Sequence, residues 1–182
     1  MTRNLHRWYD ELQKTCADQE IIARITNRLS AEGDKQAVRS LILILASEFR
    51  RQERYGEAET ILLDLSESDP VEPYPLIELA CQKLYDEEKP VEALEIVERA
   101  LGRARASGHF RRNALGVKAR IAEKLRRYDL IAEVLREIMT IKFGESRVDV
   151  GVERDFVDRL PSGVIDAALL RRYDEFYHRS TS

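Results

Sequence analysis

The chain has 182 residues, 30 of them Lys or Arg and 33 Asp or Glu, for a formal net charge of −3. Charges of both signs interleave along most segments, as on solvated helix faces, so the balance makes no general case for binding nucleic acid or acidic membranes. The length suits one compact domain or one short solenoid, and 43% hydrophobic residues are enough for a continuous core.

The first residues, Met1 to Trp8, are charged and lack both an apolar run and a small-residue cleavage site, so no signal peptide is expected. The longest apolar run, Leu41 to Ala46, is six residues, against the roughly eighteen a membrane span requires. Cys16 and Cys81 suit a reducing compartment. The expected location is the cytoplasm. The basic residues are mostly arginine, a bias that points to a GC-rich bacterial genome.

A first helix is predicted from Arg3 to about Thr15, with Leu5, Trp8 and Leu12 on one face. Asp18 is placed to cap a second, which carries Ile21, Ile22, Ile25 and Leu29 and stops near Gly33. Residues 1–34 thus form a helix pair. Helices over 35–52 and 55–66 follow, then 75–86 and 90–105. The connector Asp69-Pro70-Val71-Glu72-Pro73-Tyr74-Pro75 is stiff, and its prolines prevent the flanking helices from fusing. Pro90 stands where a first turn tolerates a missing N–H. A further pair is predicted around Leu115, Ala119 and Ala122, then Tyr128, Ile131, Leu135 and Ile138, after a loop at 106–109.

Beyond Ile141 the pattern changes. Residues 142–152 read as an ordered excursion containing the alternating run Arg147-Val148-Asp149-Val150. A short helix is predicted over 153–159 and a last one from about Val164 to His178, with Ile165, Leu169, Tyr173, Phe176 and Tyr177 as its apolar positions. The aromatic trio Tyr173, Phe176 and Tyr177 has two readings: an intramolecular cap, or the interface of a homodimer.

The central pairs share a grammar. Ile42, Leu45, Ala46, Phe49, Tyr55, Ala58, Leu62 and Leu65 are followed by Pro70. Ile77, Ala80, Cys81, Leu84, Ala93, Val97, Ala100 and Leu101 repeat the pattern, and 93 − 58 gives a period of 35. Ala46 with Ala58, and Cys81 with Ala93, are the small residues that let paired helices approach closely. In the outer pairs the small position holds Tyr9 and Ile131, and the step to the last pair lengthens, 131 − 93 being 38.

A unit of two amphipathic helices at this period resembles the tetratricopeptide repeat. The resemblance implies an all-α fold, a right-handed α–α superhelix of antiparallel helix pairs forming one domain. Its parts would be a degenerate or capping pair at 1–34, three repeats at 35–141 and a C-terminal capping extension at 142–182. It also implies a concave groove lined by the first helix of each pair. By register that groove takes Ser47, Arg50 and Arg51, then Glu78, Gln82 and Tyr85, then Arg120 and Lys124. The lysine and asparagine of the family's chaperone-binding clamp are replaced by Leu43 with Ser47 and by Glu78 with Gln82, so recognition of heat-shock chaperone tails is not expected. A similarity to bacterial secretion chaperones is a subordinate reading, from which the long C-terminal extension departs.

No catalytic constellation is present in the sequence. The eight glycines form no phosphate loop, there is no G-x-S-x-G elbow, and His6, His109 and His178 lack a second ligand at metal spacing. Glu87-Glu88, Glu57/Glu59 and Asp64/Glu67 are assigned to exposed faces. The cluster Arg99, Arg103, Arg105, Arg111 and Arg112 reads either as a contact for phosphate or acidic peptide, or as partners for Glu92, Glu95 and Glu98 on the same helix. The expectation is a non-enzymatic protein that needs no cofactor or metal and binds a protein or peptide partner, not nucleic acid or membrane.

Overall fold

The computed structural model describes residues 2–141 and 151–181, and among these it is helical with no strand. The alternating run at 147–150 lies outside the described residues. The helices are α1 (Thr2–Thr15), α2 (Asp18–Ala31), α3 (Lys35–Arg51), α4 (Tyr55–Ser68), α5 (Tyr74–Cys81), α6 (Pro90–Ser107), α7 (Arg111–Lys124), α8 (Tyr128–Ile138), α9 (Arg154–Asp158) and α10 (Ala167–Thr181). A π-helical turn, Gln82–Asp86, prolongs α5. None of the described helices is long and apolar enough to cross a membrane.

The chain divides into two compact units, Met1–Pro70 and Val71–Ser182. The break falls inside the proline-rich connector, where missing backbone donors end one helix before the next begins. Consecutive helices pack from α1 to α4 and from α5 to α8, α10 packs on α8, and first helices also meet, α1 on α3 and α5 on α7. Stacked helix pairs produce this next-but-one contact. The core of the first unit gathers Leu5, Leu12, Ile21, Ile25, Leu41 and Ala58; that of the second runs from Leu76 through Val97, Leu101, Leu115 and Leu135 to Tyr173.

The turns inside three of the pairs are built alike. Glu53, Glu88 and Arg126 are left-handed, with φ of +58, +54 and +55°. Their spacing, 88 − 53 = 35 and 126 − 88 = 38, reproduces the steps of the sequence pattern. The next residue then donates its N–H back into the first helix, Arg54 to the Phe49 carbonyl at 2.9 Å and Arg127 to that of Ala122 at 2.8 Å. In the middle pair Lys89 reaches one residue further, to Lys83 at 2.7 Å. The π turn absorbs that extra residue.

The inserted residue shifts the register upstream of it. The small, fully buried position of α5 is therefore Ala80, matching Ala46 and Ala119, while the Cys81 expected there is only half-buried. Gln82 is turned inward by the same shift and is 0% exposed.

Other boundaries follow local chemistry. Asp18 does not cap α2; Ala17 is the N-cap residue and makes no side-chain bond, and Asp18 accepts from Arg51 instead. Asp34 does cap α3, accepting the Ala37 N–H at 2.8 Å. The last helix starts at Ala167 rather than Val164. Left-handed Gly163 makes the turn before it, and Asp166 accepts the Leu169 N–H at 3.0 Å.

Candidate functional site

In the first unit the predicted groove residues fare differently. Ser47 is exposed and Arg50 half-buried. Arg51 is committed to Glu48, donating from Nε at 3.0 Å and from Nη2 at 2.6 Å, and to Asp18. Glu48 itself is 0% exposed. It also accepts from Gln52 Nε2 at 2.6 Å and from the Tyr9 hydroxyl at 2.8 Å. Burial alone would raise the Glu48 pKa, but the hydrogen bonds from Arg51, Gln52 and Tyr9 outweigh it and hold the carboxyl below its usual range. Burial and the neighbouring Glu48 push the Tyr9 hydroxyl well up. The bulky Tyr9 that misfits the repeat pattern is thus the donor that reaches this carboxylate.

The second unit holds a similar structural carboxylate. Glu87, assigned to an exposed face by sequence, accepts from Lys83 at 2.8 Å, Lys89 at 2.8 Å and Gln82 at 2.9 Å. Lys83 is 4% and Gln82 0% exposed. Burial works to raise the Glu87 pKa, and these donors overcome it and lower it to about 2. Gln82 therefore does not belong to the outer face; its side chain is part of the turn's internal support. Glu78 is half-buried.

Tyr85, Arg120 and Lys124 do meet. They line one open cavity of about 360 Å³ with Leu84, Glu88, Glu123, Phe156 and Arg159. Tyr85 is 55% exposed there, a large aromatic side chain held at the surface. Partial burial raises its hydroxyl pKa, and the charge of Arg120 works against that rise. The lining carries three cations, Arg120, Lys124 and Arg159, against two carboxylates, Glu88 and Glu123.

One wall of the cavity comes from the C-terminal extension, which sequence reasoning did not place there. The extension is seated by a backbone crossing. A Cβ on Gly116 would stand 2.0 Å from the Gly151 carbonyl oxygen, and one on Gly151 would stand 2.5 Å from that of Arg112. Only glycine allows this approach, and Gly151 also has φ +78°. Val152, Phe156 and Val157 are then buried, and Arg154 pairs with Asp158 and Asp174. The Tyr173 hydroxyl donates to the Val152 carbonyl, and that of Tyr177 to Glu153 at 3.1 Å. Tyr173 is fully buried, with Phe176 and Tyr177 packed half-buried on the same core. The aromatic trio is used inside the unit.

Three members of the arginine cluster are engaged with groups outside their own helices. Arg105 forms a two-pronged contact with Glu137, at 2.9 and 2.7 Å, and Arg111 adds a third bond at 2.9 Å. Arg103 donates to the Glu72 carbonyl at 3.3 Å, while Glu98 pairs with Lys118 at 2.6 Å. Phe110 closes the loop in a left-handed conformation, φ +55°, with its ring 5.0 Å from that of Tyr74. Among the described residues, no His, Cys, Asp and Glu side chains gather into a metal-holding group.

Fold and site together define an all-α protein of consecutively packed helix pairs, with an aromatic and basic cavity on its second unit. No protein-family model matches the chain, and no significant match is found among curated proteins or solved structures.

Proposed function

We propose that the protein is a non-enzymatic interaction module, a tetratricopeptide-like stack of helix pairs working in the bacterial cytoplasm. It binds a peptide or partner helix on the face of the second unit that carries Tyr85. The observation that carries this reading is the convergence of Tyr85, Arg120 and Lys124 around one open cavity. An exposed tyrosine beside an arginine supports this reading, since those two residue types are enriched at interface centres. The two deeply held carboxylates, Glu48 and Glu87, have their lone pairs filled by cationic and amide donors. Lowered carboxyl pKa values of that origin suit structural support; a general base or acid would be tuned towards neutrality.

The test is affinity capture from the source cell's lysate with wild type and Tyr85→Ala/Arg120→Glu, both confirmed folded by circular dichroism. The reading predicts a partner held by wild type and lost by the double variant. A partner retained equally by both would place binding elsewhere and overturn it.

A further inference from the structure

Several cations of the second unit, two of them buried, are neutralised by the protein itself. Lys118 lies 2.6 Å from Glu98, Lys83 2.8 Å from Glu87, Arg127 2.6 Å from Asp129 and Arg105 2.7 Å from Glu137. Arg120, Lys124 and Arg159 differ from these in lining one cavity together. They are exposed, and none has an ion-pair partner among the described residues. Three cations that outnumber the carboxylates of one cavity gain when an anion enters between them. Glu88 and Glu123 in the same lining leave one positive charge in excess, enough for a single anionic group but not for a polyanion. Phe156, Leu84 and the Tyr85 ring give the same cavity apolar walls, so the anion fits best when carried beside an apolar side chain.

We propose that this cavity is the anchor site for one anionic side chain, carboxylate or phosphate, of a bound peptide, and that Arg159 makes the C-terminal extension part of that site. The proposal rests on the interaction-module reading and adds the chemistry of the partner. Guanidinium forks of Arg120 and Arg159 match a planar carboxylate or a phosphate face, with Lys124 as a point charge. The Tyr85 hydroxyl is a further donor.

The test uses the full chain on an immobilised array of random short peptides, with arms carrying Asp/Glu, their Asn/Gln counterparts, and phosphorylated Ser or Tyr. Binding should concentrate on anionic peptides that also carry an apolar residue, and should weaken with added salt. The acidic and phosphorylated arms identify which anion the site takes. Arg120→Glu and Arg159→Glu should each weaken the best peptide by about tenfold or more, because each removes a charge-assisted hydrogen bond. Both side chains are exposed, so folding is unaffected, and unchanged melting temperatures verify this. Equal binding of the Asn/Gln peptides would overturn the anion assignment while leaving the interaction module standing. Undiminished binding by Arg159→Glu would overturn the role of the extension. No binding to any arm would overturn the inference, and the lysate capture then decides separately whether the module reading survives.

Discussion

Replacing Glu87 by glutamine tests how the turn beneath the candidate site is held. In the folded protein this carboxyl titrates at about 2, against an ordinary value of 4.5, because Lys83, Lys89 and Gln82 all donate to it. At about 1.4 kcal/mol per pKa unit, the difference corresponds to up to about 3 kcal/mol of stability. A carboxyl whose pKa is lowered by folding contributes fully above its unfolded value. That contribution is lost as pH falls from about 5 towards about 2. By pH 3 roughly 2 kcal/mol should have gone. The substitution also removes the carboxylate 2.8 Å from Lys83, which is 4% exposed, while Glu92 stands 4.0 Å away. Removing one member of a buried pair costs about 3–5 kcal/mol; the remaining hydrogen bonds to a glutamine amide oxygen put the cost near the lower end. Urea denaturation followed by circular dichroism at pH 7, 5 and 3 measures both effects. The Glu87→Gln protein should be about 3 kcal/mol less stable than wild type at pH 7, and the gap should close to about 1 kcal/mol at pH 3. Other carboxylates titrate in both proteins and cancel in the difference. A gap that stays constant across the range would refute the account of this turn.

Tyr9→Phe removes one of the donors to buried Glu48 and should cost about 1–2 kcal/mol in urea melts. Its effect should fall well short of additivity with Glu48→Ala, since both remove the same bond. Gly116→Ala would place a methyl 2.0 Å from the Gly151 carbonyl oxygen, so despite better helix propensity it should lower stability by about 1–3 kcal/mol; an unchanged melting temperature would mean the crossing is not that close. Truncation before Pro161 deletes Tyr173 and uncovers the core it closes, and light scattering should find aggregation rather than a soluble monomer.

Much of the architecture is legible in the sequence because apolar periodicity and proline punctuation act locally. The three helices at 35–51, 55–68 and 90–107 fall within a residue or two of expectation, and Pro90 stands in the first turn of α6 as expected. The slip at Gln82 is different in kind. A one-residue π insertion leaves the composition of α5 unchanged yet rotates every side chain before it, so Ala80 takes the small position and Gln82 turns inward. Asp18 was misread because its carboxylate finds Arg51, 33 residues away in sequence, instead of the local backbone. The buried role of Glu48 was invisible for the same reason, since charged residues read as surface until a partner from another helix is seen. Of the site, Tyr85, Arg120 and Lys124 were legible by repeat register, whereas Phe156 and Arg159 lie in the short helix expected over 153–159, whose place at the cavity no sequence pattern specifies. Their place depends on the glycine crossing at Gly116 and Gly151.

The most direct test of the interaction reading is nuclear magnetic resonance mapping of the full chain titrated with the best-binding peptide from the array. The account predicts amide shifts that concentrate on Tyr85, Arg120, Lys124 and Arg159 and saturate together. Shifts confined to the first unit or to α10, with those four residues unmoved, would contradict it.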